Sequence, residues 1–255
     1  MNNSTSAIDP ERFNEEGYAI VRRLAPTSLC SRMLDVARSD LARAAPPIEY
    51  EADTRYPGAP LSHDAPGGRT ARRLLQAYTR HAAFREWSTS HELAQQLQVV
   101  LEPELELSQA HHNCIMTKAP AYSSVTGWHR DIRYWSFERP ELVSVWLALG
   151  VERRENGCLL VLPGSHRMEF EPECLDEAQF LRADVERNRE LLSRQTAVEL
   201  DRGDVLFFHC RLFHAAGNNQ TRQTKFSVVF TYHSADNPPV PGSRSASLAD
   251  IPLST

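Results

Sequence analysis

From residue 104 onward the chain breaks into short β-rich runs, at 105–117, 124–135, 142–150, 158–162, 196–200, 204–209 and 225–233. Turn formers separate them: Gly127, Pro140, Asn156-Gly157, Pro163-Gly164, Gly203 and Gly217-Asn218-Asn219. So many short strands bury their apolar sides only by closing on one another, which restricts this half to a sandwich, barrel or jelly roll. One segment, 175–193, breaks the series with a helical pattern. The first hundred residues read differently. Phe13–Glu16 is a short helix, Gly17 a break and Tyr18–Val21 a first strand. From Ser28, a candidate N-cap, Leu29, Met33, Val36, Ala37 and Leu41 recur at helical spacing. Leu93, Leu97 and Leu101 mark one face of further helix within 81–101. The expected fold class is α+β with a mainly β core, a sandwich or jelly roll, under N-terminal helices.

We expect one domain over 1–255: a helical cover at about 11–101, a jelly-roll core at about 105–233 and a tail at 234–255. Residues 1–10 are polar and expected to be loose, and the Pro/Ser-rich tail from Ala235 is expected to run over the surface. Residues 45–70 are rich in Pro, Gly and charge without an apolar period, the pattern of a lid, a binding loop or a disordered stretch. With 41% hydrophobic and 24% charged residues among 255, the chain is of globular composition. Its net charge of −5 gives no general basic field for nucleic acid, so any positive patch must be local. The five cysteines are scattered, odd in number and never in a C-x-x-C pair, as expected for free thiols in a reducing compartment. No stretch is apolar enough to span a bilayer, and the opening residues lack the basic and apolar segments of a signal peptide. The expected location is cytoplasmic.

Thr126-Gly127-Trp128-His129-Arg130-Asp131 carries the first chemistry. Strand side chains alternate, so His129 and Asp131 face the same way and can both reach one metal ion. A third ligand is available downstream, where Gly203-Asp204 leads into an apolar strand and a histidine precedes Gly217-Asn218. A two-His, one-carboxylate set leaves coordination positions open, and its usual occupant is non-haem Fe(II), which takes a co-substrate and O2. Alternation along 204–209 favours His214 over its rival His209. A zinc hydrolase using the same ligands is an alternative.

The run WHRDIRYWSFERPELVSVWLALGVERRENGCLLVLPGSH, with GDVLFFHCRLFHAAGNN after it and FNEEGYAIV before it, resembles the phytanoyl-CoA dioxygenase family of Fe(II)/2-oxoglutarate-dependent oxygenases. The three blocks are in family order and the resemblance covers about 11–233. It implies a double-stranded β-helix (jelly-roll) core, His129, Asp131 and His214 as iron ligands, and hydroxylation of an unactivated C–H bond with release of succinate and CO2. The family places an arginine eleven residues after the distal histidine to hold the far carboxylate of 2-oxoglutarate; here that position is Lys225. Lysine keeps the charge but loses the bidentate fork. Ser227, on the same face, is expected to add a hydrogen bond, and Arg222 in the preceding polar turn, 219–223, is the competitor. Trp146 and Lys118 match family positions around the co-substrate, and Thr126 and Asn113 are further candidates. Asn156-Gly157 and Pro163-Gly164 are family-like turns, which leaves His166 a structural role.

Arg130, Arg133, Arg139 and Arg211 cluster in sequence around the ligand motifs, with Arg244 alone in the tail. A local positive field of this kind favours an anionic small-molecule substrate, contacted by Arg130, Arg133, Arg211 and His111, with His112 and Asn113 beside them. WHRDIRYWSF, GDVLFFHC and the RSASLADI tail also resemble enzymes that hydroxylate 3-deoxy-manno-octulosonic acid on lipid A precursors. That resemblance implies a lipid-linked acidic sugar as substrate and contact with the inner membrane from the cytoplasmic side. The alternatives are a hydroxylase of an acyl-CoA or amino-acid-derived metabolite and a non-catalytic jelly-roll binding or sensor protein. Halogenation is disfavoured, because related halogenases replace the carboxylate that Asp131 supplies.

Overall fold

A strand that is apolar at every position must be covered on both faces, and the strands over Leu142–Ala148 and Lys225–Ser234 are buried throughout. In the computed structural model, which describes residues 4–5, 7–54 and 59–253, both lie in the middle of the larger of two sheets. In chain order the strands are β1 (Ser4–Thr5), β2 (Tyr18–Val21), β3 (Ile48–Tyr50), β4 (Ala71–Leu75), β5 (Leu105–Lys118) and β6 (Thr126–His129). There follow β7 (Leu142–Ala148), β8 (Leu159–Val161), β9 (Thr196–Val198), β10 (Val205–His209), β11 (His214–Ala216), β12 (Lys225–Ser234) and β13 (Ile251–Pro252). The larger sheet runs β1-β2-β10-β7-β12-β5-β4-β3, with β13 added to β5, and the smaller runs β6-β11-β8-β9. Within both sheets every pairing but that of β1 with β2 is antiparallel. Two antiparallel sheets face to face form the expected jelly-roll core.

Alternation divides the central strands between two apolar layers. Val143, Val145, Leu147, Val205, Phe207, Val228 and Phe230 face outward to the helices α2 (Thr27–Ala42), α4 (Ala82–Ser88) and α5 (His91–Leu97). They pack there with Leu29, Met33, Phe84, Trp87, Leu93 and Leu97. Trp146, Ala148, Leu206, Phe208 and Val229 face inward to Leu159, Val161 and Ala216 of the smaller sheet. Two short helices complete the cover. In α1 (Pro10–Glu16) the Asp9 carboxylate accepts from the backbone N–H of Glu11 and Arg12, Pro10 opens the helix, and Gly17 closes it at φ 80°. A Cβ at Gly17 would lie 2.4 Å from His166 Nδ1, so both the backbone and the neighbouring ring require glycine there. α3 (Ala77–Arg80) joins β4 to α4.

Several local expectations are corrected. α2 starts at Thr27 with Pro26 in the cap position and no side-chain cap, so Ser28 lies inside the helix. Ser4–Thr5 pairs with Ile20 and Val21 instead of hanging loose. Part of 45–70, residues 55–58, lies outside the described residues; the rest contributes β3 and a 3-10 turn, Glu51–Asp53, that buries Glu51. The insertion at 175–193 is helical only over α6 (Glu186–Leu192). The tail is not merely superficial. β13 pairs with β5, Leu253 enters the core, and buried His233 meets Asp250 at 3.1 Å.

Candidate metal centre

His129 ends β6 and His214 opens β11, and the two are register partners across the smaller sheet. Asp131 lies two residues beyond β6, at the head of a 3-10 turn (Asp131–Tyr134) fixed by the Ile132 N–H to the Cys210 carbonyl. His129, Asp131 and His214 are buried, and each offers one ligand atom within 4.8 Å of the others. Hydrogen bonds decide the tautomers. His129 Nδ1 lies 2.9 Å from the Gly127 carbonyl and His214 Nδ1 3.1 Å from the Leu212 carbonyl. A carbonyl only accepts, so both Nδ1 atoms carry hydrogen and both Nε2 atoms present lone pairs. Those Nε2 atoms stand 3.9 and 3.6 Å from Asp131 Oδ1. The other carboxylate oxygen accepts from Ser144 Oγ at 3.1 Å, which orients the acid from β7.

Burial pushes both histidines below the ordinary imidazole range, His129 strongly so, which keeps them neutral as ligands must be. Burial alone would raise Asp131, but His112 first and then His214 and His129 outweigh it and hold the carboxyl well below its usual range. His112, on β5, lies 3.0 Å from Asp131 Oδ1. Burial opposes its charge, yet the Asp131 carboxylate pushes it up to about 10. Buried, tautomer-fixed donors with an ionised carboxylate suit a divalent first-row metal ion.

A narrow cavity leads from His129 and His214 between the sheets, with Arg72, Lys118, Thr126, Trp146 and Lys225 on its walls. Lys118 and Lys225 face each other as register partners on β5 and β12. Lys225 Nζ donates to Glu152 Oε2 at 2.9 Å, and Ser227 Oγ donates to Glu152 Oε1 at 2.5 Å. Trp146 Nε1 donates to the same carboxylate, and Lys225 Nζ sits 5.0 Å from the centre of the Trp146 ring. Thr126 Oγ1 accepts from Arg72, whose guanidinium also pairs with buried Glu51. Asn113 stands apart: it is on the opposite face of β5 from Lys118, where its Oδ1 accepts from the Tyr78 N–H. The two are five residues apart, so alternation alone already separates them.

A second cavity opens over Asp131 and His129, lined by Arg73, His111, His112, Tyr134, Trp135 and Arg244. His111 is there, its Nε2 2.7 Å from Ser245 Oγ. Arg133 stacks on Phe180, whose ring lies 5.7 Å from that of His129, and bonds the Ala178 carbonyl and the Tyr134 hydroxyl. Arg130 and Arg211 point elsewhere, Arg130 over the Phe170 and Phe213 rings and Arg211 to Glu169. Arg139 pairs with Glu141 and Asp236. His209 stacks on His166 outside the triad, and Arg222 is exposed. Sequence reasoning missed Arg72, Arg73 and Glu152. Glu152 sits in a polar turn, GVERRENG, and only its bridge to Leu200 aims it inward.

The chain matches the model of the family described as phytanoyl-CoA dioxygenase over residues 13–227. It is 23% identical to human peroxisomal phytanoyl-CoA dioxygenase over 248 residues, covering 92% of this chain and 71% of the relative. It is 20% identical over 244 residues to an ectoine dioxygenase of Stutzerimonas stutzeri (strain A1501), covering 89% of this chain and 76% of that one. Among solved structures it shares its fold with EctD from S. alaskensis in complex with 2-oxoglutarate and 5-hydroxyectoine. That match has TM-score 0.73 and 21% identity, and covers 91% of this chain and 77% of the other. The α-ketoglutarate-dependent carbocyclase SnoK from nogalamycin biosynthesis matches over 100% of both chains, with TM-score 0.73 and 18% identity. With a matching family model spanning most of its length and a buried His-Asp-His set in the jelly roll, the chain belongs to the phytanoyl-CoA dioxygenase family of Fe(II)- and 2-oxoglutarate-dependent dioxygenases.

Proposed function

We propose that this protein works as a single dioxygenase domain that hydroxylates an unactivated C–H bond of an anionic small molecule. The observation that carries the reading is the convergence of two tautomer-fixed Nε2 atoms and the Asp131 carboxylate at one buried point. Held by His129, Asp131 and His214, Fe(II) supplies O2 activation coupled to conversion of 2-oxoglutarate to succinate and CO2. The protein's own groups do the rest. Ser144 and His112 fix the carboxylate, His129 and His214 stay neutral, and Trp146 and Thr126 wall the co-substrate cavity with Lys118, Lys225 and Ser227 at its cationic end.

The second cavity is the substrate's entry. Arg73 pairs there with Glu49, whereas Arg244 has no ion-pair partner among the described residues and supplies the charge for an acidic group. This assigns substrate contact to Arg244, His111 and His112, with Arg133 at the margin, and leaves Arg130 and Arg211 outside it. A lipid-linked acidic sugar rests on the sequence resemblance alone. A CoA ester or an ectoine-like amino acid derivative is the alternative suggested by the relatives' names. No helix among the described residues is long and apolar enough to cross a membrane; a cytoplasmic site of action is part of the proposal. A non-catalytic binding protein is the second reading, favoured by the ion pair that already occupies Lys225.

Succinate release, followed across CoA esters, acidic sugars and amino acid derivatives side by side, tests the proposal. Stimulation by an acidic compound, with a matching hydroxylated product, is expected. Stimulation only by neutral compounds overturns the anionic substrate, and saturable 2-oxoglutarate binding without turnover on any of them supports the binding protein.

A further inference from the structure

Glu152 is fully buried, and its two carboxylate oxygens are taken up by Lys225, Ser227 and Trp146, three residues the co-substrate would otherwise engage. It reaches them from the β7–β8 connection, where its backbone bonds Leu200 in both directions. Beside Lys225 on the adjacent strand stands Lys118, also buried, whose Nζ among the described residues donates only to the Ser124 carbonyl, at 3.2 Å. Its stem is confined as well: a Cβ on Gly157 would lie 2.7 Å from Lys118 Cδ. The Arg72 and Glu51 charges beside Lys118 offset each other as an ion pair, so the end of the cavity is left with two lysines and the Glu152 carboxylate. An arginine can meet a distal carboxylate with two parallel N–H bonds; a single lysine cannot. Two lysines on adjacent strands can share that task, and Glu152 cancels one of their two charges.

We propose that Glu152 sets the affinity for the co-substrate: Lys118 and Lys225 together anchor the distal carboxylate of 2-oxoglutarate, and Glu152 holds that anchor at a net charge of one. The proposal rests on the dioxygenase reading of the site. Glu152 is a positioning residue in it, acting through Lys225 and through its own charge. Burial, reinforced by Arg72 and Lys225, pushes Lys118 down to about 7, so an arriving carboxylate is what favours its charged form.

The test is calorimetric titration of the anaerobic Fe(II)-loaded protein with 2-oxoglutarate and with 2-oxopentanoate, which has the same oxo-acid head and no distal carboxylate. Glu152→Gln removes the charge and one acceptor: its amide oxygen can take the place of Oε2, accepting from Lys225 and Trp146, while its NH2 can only donate, to Ser227 Oγ. It is expected to tighten 2-oxoglutarate about tenfold, a size consistent with removing one like charge from a buried site where neighbouring cations screen it. Lys118→Met is expected to weaken it about 100-fold, as for loss of a buried charge-assisted hydrogen bond. Neither change should move 2-oxopentanoate. A purely structural Glu152 predicts the opposite sign, weaker or unchanged binding of both acids, and that result overturns the proposal. Unchanged 2-oxoglutarate binding in Lys118→Met overturns the two-lysine anchor even if the Glu152 variant does not fold. Fe(II)-loaded wild type that binds neither acid overturns the co-substrate reading and this proposal with it.

Discussion

Each histidine of the triad commits one ring nitrogen to a backbone carbonyl two residues before it, Gly127 or Leu212. The strand that carries the ligand thus also sets its tautomer, and no separate residue is needed for that purpose. The pairing of His129 with Asp131 was legible in the sequence because it depends only on strand alternation. Lys118 shows what was not: its environment comes from Arg72, Ser124 and Lys225, brought together by three different strands and a loop. Its pH behaviour follows. The folded amine titrates near about 7, below the roughly 10.4 of an unfolded lysine, so between these values the unfolded chain binds more protons. Stability contributed by this group therefore rises as pH climbs through that window. Co-substrate binding, which needs the ammonium, moves the other way. Affinity for 2-oxoglutarate should fall from pH 7 toward pH 9 by up to about tenfold per unit, and Lys118→Met should flatten that fall. Titrations at fixed Fe(II) saturation check both slopes.

At the scale of elements, β7, β10 and β12 carry both the core and the site. Their outward residues seat the helices, while their inward residues include Trp146, Phe208, Lys225 and Ser227. The two jobs are separable by face. Phe207→Ala, on the outward face and fully buried, should cost about 3–5 kcal/mol of stability. Urea unfolding measures that loss, and the Fe(II) affinity of the folded fraction should stay unchanged. The runs of these strands were readable because turn formers bracket them. β3 and β4 were not, since charged residues (Glu49; Arg72 and Arg73) interrupt their short apolar runs and β3 is only half-buried, at the end of the sheet. Ser28 misled for a different reason: a good capping side chain two residues after Pro26 does not start the helix there when Pro26 sets the entry.

For the whole molecule, the net charge of −5 is an average that hides where the cations stand. The arginines nearest the ligand motifs in sequence, Arg130, Arg133, Arg139 and Arg211, turn to aromatic rings or surface carboxylates. Arg244, more than a hundred residues from His129 in the chain, reaches the cavity because Ser245 is pinned between His111 and the Ser136 N–H. That closure depends on the tail returning to β5, which composition alone did not reveal. Arg244→Ala should raise the KM for an acidic substrate about tenfold and leave Fe(II) and 2-oxoglutarate binding unchanged; steady-state kinetics with the substrate found in the succinate screen decides it.

His129, Asp131 and His214 holding Fe(II) open to 2-oxoglutarate should be visible in the absorption spectrum of the anaerobic protein. Addition of Fe(II) and 2-oxoglutarate to wild type should produce a weak metal-to-ligand charge-transfer band that saturates with one equivalent of each, and His214→Ala should abolish it. A wild type without the band, or a His214→Ala variant that keeps it at full strength, would contradict the account.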